Sequence, residues 1–204
     1  MFRTFTEKRS EWKEQISEEI IPLIHRGMVN RKQWLLVNLK GRLWSGSLRD
    51  QFMFENIEWL RNYYKGEKLI VWAHNYHIRK NRSLLLELLR IKTVDHLLAK
   101  KYADRVFSVG FYAGSGTCLT PYKDLHEITM INQYHLELLL KELNGHTFFL
   151  PTNIGAKRNA WNKQAWWLLE TRLLGMAPLV LKPIKAYDAI FFIKCVKPPQ
   201  ELGG

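Results

Sequence analysis

The chain has 204 residues, of which 47% are apolar and 25% are charged. These proportions are ordinary for a folded soluble protein, and they exclude a disordered chain, a collagen and a disulfide-stapled miniprotein. The net charge of +12 is typical of proteins with an anionic partner such as a nucleic acid, a phosphorylated ligand or an acidic surface. Because the basic residues are spread along the whole chain and no nucleic-acid motif with fixed spacing is present, we do not expect nucleic-acid binding.

The cysteines and the short apolar stretches predict a cytoplasmic location. The two cysteines, Cys118 and Cys195, are far apart in sequence, which predicts a reduced, cytoplasmic protein without a Cys-based zinc site. The first eight residues show no apolar segment of a signal peptide. The longest apolar stretches, at residues 173–181 and 189–193, are much shorter than the roughly 18 residues that a membrane span needs, so we expect no membrane association.

The first two predicted elements are helices. Apolar residues recur at spacings of three and four within the first thirty residues, at Trp12, Ile16, Ile20 and Leu23. A second helix is predicted over residues 48–64, because its apolar residues lie near one face and Gly66 follows as a stop signal.

From residue 69 onward, the pattern predicts strands that alternate with helices. The predicted strands cover residues 69–73, 105–111, 146–150 and 187–196, and the first reads as a strand buried on both faces. The predicted helices between them cover residues 83–101, 122–143 and 158–174. Such alternation predicts an α/β fold with a mostly parallel sheet flanked by helices. Since no linker or repeat is visible, we expect a single domain over residues 1–204, with a helical lead-in at residues 1–45.

The residues after the first predicted strand are the main candidate site. In open α/β sheets, ligands bind beyond the carboxyl ends of the strands, and His74 and His77 follow the strand predicted at residues 69–73. An imidazole titrates near neutral pH, so it can transfer a proton or stabilise an oxyanion during hydrolysis. The alternative is that His74 caps the strand and His77 is an exposed loop residue. A metal site is disfavoured, because the basic run Arg79, Lys80 and Arg82 follows.

Two further features have structural alternatives. The Gly-rich loop at residues 113–117 could let a ligand approach the backbone at Gly114 and Gly116, but a plain turn is the preferred interpretation. The other candidates are interpreted as structural: the aromatic Trp161, Trp166 and Trp167, and the histidines His25, His96, His126, His135 and His146.

Three stretches in fixed order carry a resemblance to a known family. They are Arg49 to Leu60 with the pattern R-D-x-F-M-x-x-N, Leu69 to Ile78 with W-A-H-N-x-H, and Arg105 to Phe111 with its Gly-rich tail. Together with the last predicted strand, they resemble the erythromycin esterase family, which includes proteins labelled succinoglycan biosynthesis proteins. The resemblance covers residues 46–198. It implies an α/β fold and cofactor-free hydrolysis of a carboxylic ester or lactone, in the best-known members a macrolide, so that antibiotic resistance enters only through the family.

The same resemblance implies site roles. His74 and His77 correspond to the family's active-site histidines, and we predict that they are catalytic, with Asn75, Gly114 and Gly116 in substrate binding. The family's G-E-x-x-H motif, whose His is thought to be the general base, is absent, so the sequence looks like the C-terminal portion of a longer enzyme. The basic residues after Ile78 would suit an anionic substrate.

Two alternatives stay open at this stage. The chain could be a non-catalytic relative that binds a ligand or a partner, or a hydrolase that is incomplete when isolated. If half of the sheet is missing, an exposed edge strand and an apolar face predict homo-oligomerisation.

Overall fold

A computed structural model describes residues 17–39, 41–80, 91–119, 123–128, 135–152, 168–173, 177–181 and 183–198. Only the backbone is described at residues 41–44, 168–173, 177–181 and 184. The chain divides into two compact units, Met1–Leu69 and Ile70–Gly204. The single-domain organisation expected from the sequence stays a prediction.

The first unit contains a helical hairpin. Helix α1 spans Ile20–Leu39 and helix α2 spans Gly41–Tyr63. Side chains of the two helices pair in antiparallel order, since Arg26 donates to Asn56 at 2.8 Å and Gln33 donates to Glu55 at 2.8 Å. The two predicted helices are therefore confirmed from residue 20 onward, and residues 1–16 of the lead-in lie outside the described residues.

The second unit is built of short helices and strands. Its helices are α3 (Asn75–Ile78), α4 (Val94–Tyr102), α5 (Leu136–Lys141) and α6 (Pro183–Ala186), with a 3₁₀ turn at Ala103–Arg105. Its strands are β1 (Val109–Ala113), β2 (Thr117–Leu119), β3 (Leu125–Glu127), β4 (Thr147–Pro151), β5 (Leu168–Leu173), β6 (Ala177–Leu181) and β7 (Ala189–Ile193).

Three strands form the central sheet in the order β1-β7-β4. Strand β7 runs parallel to β1 and antiparallel to β4. The remaining described strands form two antiparallel pairs, β2 with β3 and β5 with β6. The prediction of a mostly parallel sheet is therefore wrong, and the sheet is mixed. Short connections favour antiparallel pairing in the β2–β3 and β5–β6 pairs, because a parallel pair requires a long crossover.

The two faces of the central sheet differ in burial. One face carries Tyr112, Ile190 and Phe192, which are buried against Leu136 and Leu140 of α5. Side chains alternate between faces along a strand, so the opposite face carries Phe111, Phe191 and Phe149, which occupy one row across the three strands. Phe111 and Phe149 remain exposed at 40% and 51%.

The segment at residues 69–73 departs most from its prediction. It belongs to no helix or strand among the described residues, and Ile70 and Trp72 are 95% and 81% exposed. A strand needs ladder partners on its edges as well as apolar side chains, and the described residues provide none. The expectation of a doubly buried strand is therefore wrong for this chain as it folds here.

Two predicted helices are also corrected. The helix expected at residues 122–143 is confirmed only over Leu136–Lys141, because Leu125–Glu127 pairs with Thr117–Leu119 as a strand. The helix expected at residues 158–174 gives way to strand β5 at Leu168–Leu173, and residues 158–167 with their three tryptophans lie outside the described residues.

The other predicted elements agree in part with the structure. The helix predicted at residues 83–101 is confirmed from Val94, after an N-cap at Thr93, while residues 83–90 lie outside the described residues. Three predicted strands correspond to β1, β4 and β7. Among the helices that the structure describes, none has both the length and the apolar character that a membrane crossing requires. The cytoplasmic location stays a prediction.

Candidate functional site

The two candidate histidines lie on one short turn. His74 is the N-cap of α3, and its Nδ1 accepts a hydrogen bond from the backbone N–H of Tyr76 at 3.2 Å. An N-cap side chain normally provides an oxygen acceptor, and here an imidazole nitrogen takes that place. The backbone N–H of His77 donates to the carbonyl of His74 at 2.8 Å. The turn thus holds both histidines in a defined relation.

The cap hydrogen bond determines which nitrogen of His74 carries the proton. Since Nδ1 accepts a hydrogen bond, the proton of the neutral ring is on Nε2. The partial burial of the ring and, second, the nearby His77 lower the pKa of His74 below its usual value of 6.5. His74 is therefore a neutral imidazole at pH 7, and its Nε2–H can donate to a ligand because the side chain remains partly exposed to solvent.

Asn75 fixes the turn to the edge of the sheet. Its Nδ2 donates to the carbonyl of Phe111 at 2.6 Å, and its Oδ1 accepts from the N–H of Phe111 at 2.9 Å. The side-chain amide thus occupies both backbone groups of one β1 residue, as a neighbouring strand would. The Tyr187 hydroxyl donates to the Asn75 carbonyl at 3.3 Å. These contacts favour a positioning role for Asn75, and its predicted role in substrate binding stays a prediction.

The site lies at a different place on the sheet from the one that the sequence predicts. The residues before His74 form no strand, and Asn75 is anchored at Phe111, the middle residue of β1. The histidine turn is therefore beside the edge of the sheet and not beyond the carboxyl end of a buried strand.

Gly114 and Gly116 have a structural explanation. A Cβ at Gly114 would lie 2.7 Å from the Phe192 ring, and one at Gly116 would lie 1.9 Å from the Val196 carbonyl oxygen. Gly116 also has φ of +110°, which side chains rarely adopt. Two backbone N–H groups of the loop already have partners within the chain. The N–H of Gly114 donates to the carbonyl of Ile193 at 2.9 Å, and the N–H of Thr117 donates to the carbonyl of Val196 at 3.1 Å. The predicted contact of this loop with substrate stays a prediction.

The described part of the basic segment faces the protein interior. Arg79 is buried with its guanidinium 5.7 Å from the Tyr76 ring, and Lys80 forms an ion pair with Asp188. Lys80 also donates to the carbonyl of Val106 at 2.8 Å. These two cations therefore bind groups of this chain, which argues against the anionic substrate that the sequence suggests.

A buried acidic network, which the sequence analysis missed, surrounds Lys80. The Ser108 hydroxyl donates to the Asp95 carboxylate, and the Ser108 N–H donates to Asp188 at 2.7 Å. Burial is the main cause that raises the pKa of Asp95 to about 6, against the opposing effects of the Ser108 hydrogen bond and the Lys80 charge. The four residues come from four separate segments, so no sequence spacing indicates the network.

The network predicts a pH-dependent stability. The pKa of Asp95 is raised on folding, so the folded chain binds this proton more tightly than the unfolded chain. The favourable contribution is complete below about pH 4 and is lost as the pH rises through about 6. We expect Asp95→Asn to remove this dependence, so that the difference in unfolding free energy between wild type and variant changes by about 2 kcal/mol from pH 4 to pH 7.

Urea unfolding at a series of pH values measures the effect. Asp104→Asn is the matched control, since Asp104 is exposed on the 3₁₀ turn, and it should follow the wild-type profile. Parallel profiles for wild type and Asp95→Asn would contradict the assignment.

The structural interpretation of the other histidines stays a prediction. His135 is fully buried beside α5, and burial lowers its pKa. Within the described residues, no three His, Cys, Asp or Glu side chains are grouped so that they could hold a metal ion.

Solved structures share this mixed α/β architecture. A Bacillus cereus protein of known crystal structure superposes with a TM-score of 0.72 at 18% identity, over 97% of this chain and 50% of that one. A succinoglycan biosynthesis protein gives a TM-score of 0.64 at 18% identity, over 81% of this chain and 42% of that one. A mutant of an erythromycin esterase, in its open conformation, gives a TM-score of 0.53 at 15% identity, over 74% of this chain and 38% of that one.

Sequence comparison assigns the family. A family model described as erythromycin esterase matches residues 25–196, and the chain therefore belongs to the erythromycin esterase family. YbfO of Bacillus subtilis (strain 168), which is named as a hydrolase, is 32% identical over 76 residues, covering 35% of this chain and 17% of that protein. The chain thus spans half or less of the length of these relatives. The resemblance expected from the sequence is confirmed.

Proposed function

We propose that the chain contributes the oxyanion-stabilising part of an esterase-like active site that hydrolyses a carboxylic ester or lactone. The observation that carries this proposal is the hydrogen bond from Tyr76 N–H to Nδ1 of His74, which leaves the Nε2–H of a neutral, exposed ring as a donor. The family and the hydrolase name of YbfO support the reaction class.

The donor has a defined place in the reaction. The oxygen of an attacking water forms a bond to the carbonyl carbon and passes a proton to the solvent, while the C=O π bond opens and the carbonyl oxygen gains negative charge. His74 Nε2–H donates to that oxygen, and a preorganised donor of this kind lowers the barrier because its hydrogen bond strengthens as charge develops. The C–O bond to the leaving group then breaks, the alkoxide takes up a proton, and an acid and an alcohol are released. No cofactor takes part in these steps.

His77 assists by keeping His74 neutral. The charge that His77 could carry lowers the pKa of His74, in addition to the larger effect of burial. Asn75 assists by holding the turn on β1. The proposal concerns the class of bond that is cleaved, an ester or lactone. It does not extend to macrolides or antibiotic resistance, which only the names of relatives suggest.

The pH dependence of hydrolysis tests this proposal. Protonation of His74 would place a hydrogen on Nδ1 facing the Tyr76 N–H, so the ring would lose its orienting hydrogen bond. We expect kcat/KM for an activated ester such as p-nitrophenyl acetate to fall as the pH falls through a value below 6.5. An activated ester is suitable because its leaving group reduces the need for a general base.

The Asp95 network separates this effect from unfolding. Protonation of Asp95 favours the folded chain at low pH, so that group cannot cause an acidic loss of activity through unfolding. A hydrolysis rate that is absent, or that rises as the pH falls from 6.5 to 5, would contradict the proposed role of His74.

A further inference from the structure

Four aromatic residues and one aliphatic residue form an exposed apolar surface on the second unit. The Trp72 ring lies 5.1 Å from that of Phe111, and Phe111 stacks on Phe191 at 4.6 Å. Phe149 continues the row on β4, in register with Phe191. Ile70 and Trp72 are almost fully exposed. We call this set, Ile70, Trp72, Phe111, Phe191 and Phe149, the aromatic surface. Aromatic residues grouped in this way mark interaction sites.

The backbone of residues 70–73, beside this surface, forms no ladder with any described strand. Residues 70–73 belong to no described helix or strand, although their sequence is typical of a strand buried on both faces. Beside them, the Asn75 side chain occupies the edge of β1 only at Phe111. An apolar segment that belongs to no described sheet can become a strand when another polypeptide pairs with it.

We propose that the aromatic surface binds a polypeptide that supplies the other half of the erythromycin esterase fold. The superposed Bacillus cereus structure matches 97% of this chain but only half of its own length, so the fold contains about as much polypeptide again. A half-fold that packs on this one would bury the exposed aromatic row and provide ladder partners for residues 70–73.

The charge argues against a second copy of this chain as the occupant. Each copy carries a net charge of +12, so two copies would repel each other. A segment of different sequence can carry compensating negative charge, which also favours rapid association. The proposal concerns binding and does not depend on hydrolysis, so either can fail alone.

Binding to a fold-completing polypeptide tests the proposal. The probe is the half of the Bacillus cereus chain that this chain leaves uncovered, produced separately and checked for folding by circular dichroism. We expect a 1:1 complex in light scattering, with calorimetry giving the Kd. Trp72→Asp and Ile70→Asp should each weaken it about 30-fold or more, because a charge would be buried in the contact. Ile70 is the safer position, since its side chain is 95% exposed and its replacement leaves the fold intact.

Leu125→Asp is the matched control. Leu125 is an exposed apolar residue, but it lies on β3, outside the aromatic surface, so this variant should bind like wild type. The proposal is overturned by a folded probe that shows no complex up to about 100 µM, or by an equal loss in Leu125→Asp. It is also overturned by a homodimer that Ile70→Asp dissociates, since the surface would then belong to a second copy.

Discussion

Gly116→Ala is expected to unfold most of the chain's second unit at moderate denaturant, at a cost of more than about 4 kcal/mol. The new Cβ would lie 1.9 Å from the backbone oxygen of Val196, which no rotamer change can relieve. The backbone there is held by a bridge between Gly116 and Val196, and the Gly116 carbonyl accepts from Ile128 N–H at 2.8 Å. Accommodating the methyl group requires that these contacts break.

Gly145→Ala is the control that separates the two causes of destabilisation. Gly145 has nearly the same positive φ, +114°, but a Cβ there would meet no atom within 4 Å. Its substitution therefore introduces only the backbone strain, which costs about 1–2 kcal/mol. Urea unfolding followed by circular dichroism measures both variants. Equal losses would show that the close approach to Val196 does not determine the need for glycine at residue 116.

This result also bears on the Gly-rich loop as a site. A loop that binds substrate through Gly114 and Gly116 should lose activity before it loses stability. A loop that is fixed by Ile193 and Val196 should lose stability first, because the internal hydrogen bonds of Gly114 and Thr117 fail when the backbone moves. The conformational reason for the glycines becomes visible only with the partner strand in place, so the sequence alone could suggest either function.

The pattern of apolar residues in the sequence predicted those helices and strands whose conformation does not depend on pairing with a distant segment. The end of helix α2 was predictable from Gly66, whose φ of +85° suits a helix stop, although the helix begins at Gly41 and not at residue 48, and β7 was predictable from its apolar run. The β2–β3 hairpin was not predictable in this way. Its strands have only three residues each, and pairing across the connection outweighs the helical spacing of residues 122–143. Residues 168–181 illustrate the same point, since Gly175 follows β5 and precedes β6 where a helix stop was expected.

The candidate site was predictable to the level of residue type and less so in geometry. His74 and His77 were identified as candidates from their place after an apolar run, and the structure has both on one short turn. The bidentate contact of Asn75 with Phe111 and the Asp95 network join residues 36 and 13 positions apart, and such contacts leave no local signal in a single sequence. The failure at residues 69–73 is of another kind. Their apolar side chains predict burial, but Ile70 and Trp72 are exposed, and our proposed half-fold would provide what buries them.

His74→Asn is expected to lower kcat for an activated ester about 100-fold, the usual effect of removing one oxyanion donor. Asparagine is a preferred N-cap residue, so its Oδ1 can accept from Tyr76 N–H and preserve the start of α3. Its shorter side chain cannot place a donor where Nε2–H of the imidazole lies. The variant therefore separates the chemistry of the ring from its structural role as a cap.

His146→Asn is the matched control, since His146 is exposed and distant in sequence from the turn. It should retain the wild-type rate. The midpoint of urea unfolding should be close to that of wild type in both variants, so any loss of rate in His74→Asn reports on catalysis. If His74→Asn keeps more than about half of the rate, or if His146→Asn loses as much, His74 does not stabilise the oxyanion, and only its capping role remains supported by the hydrogen bond to Tyr76.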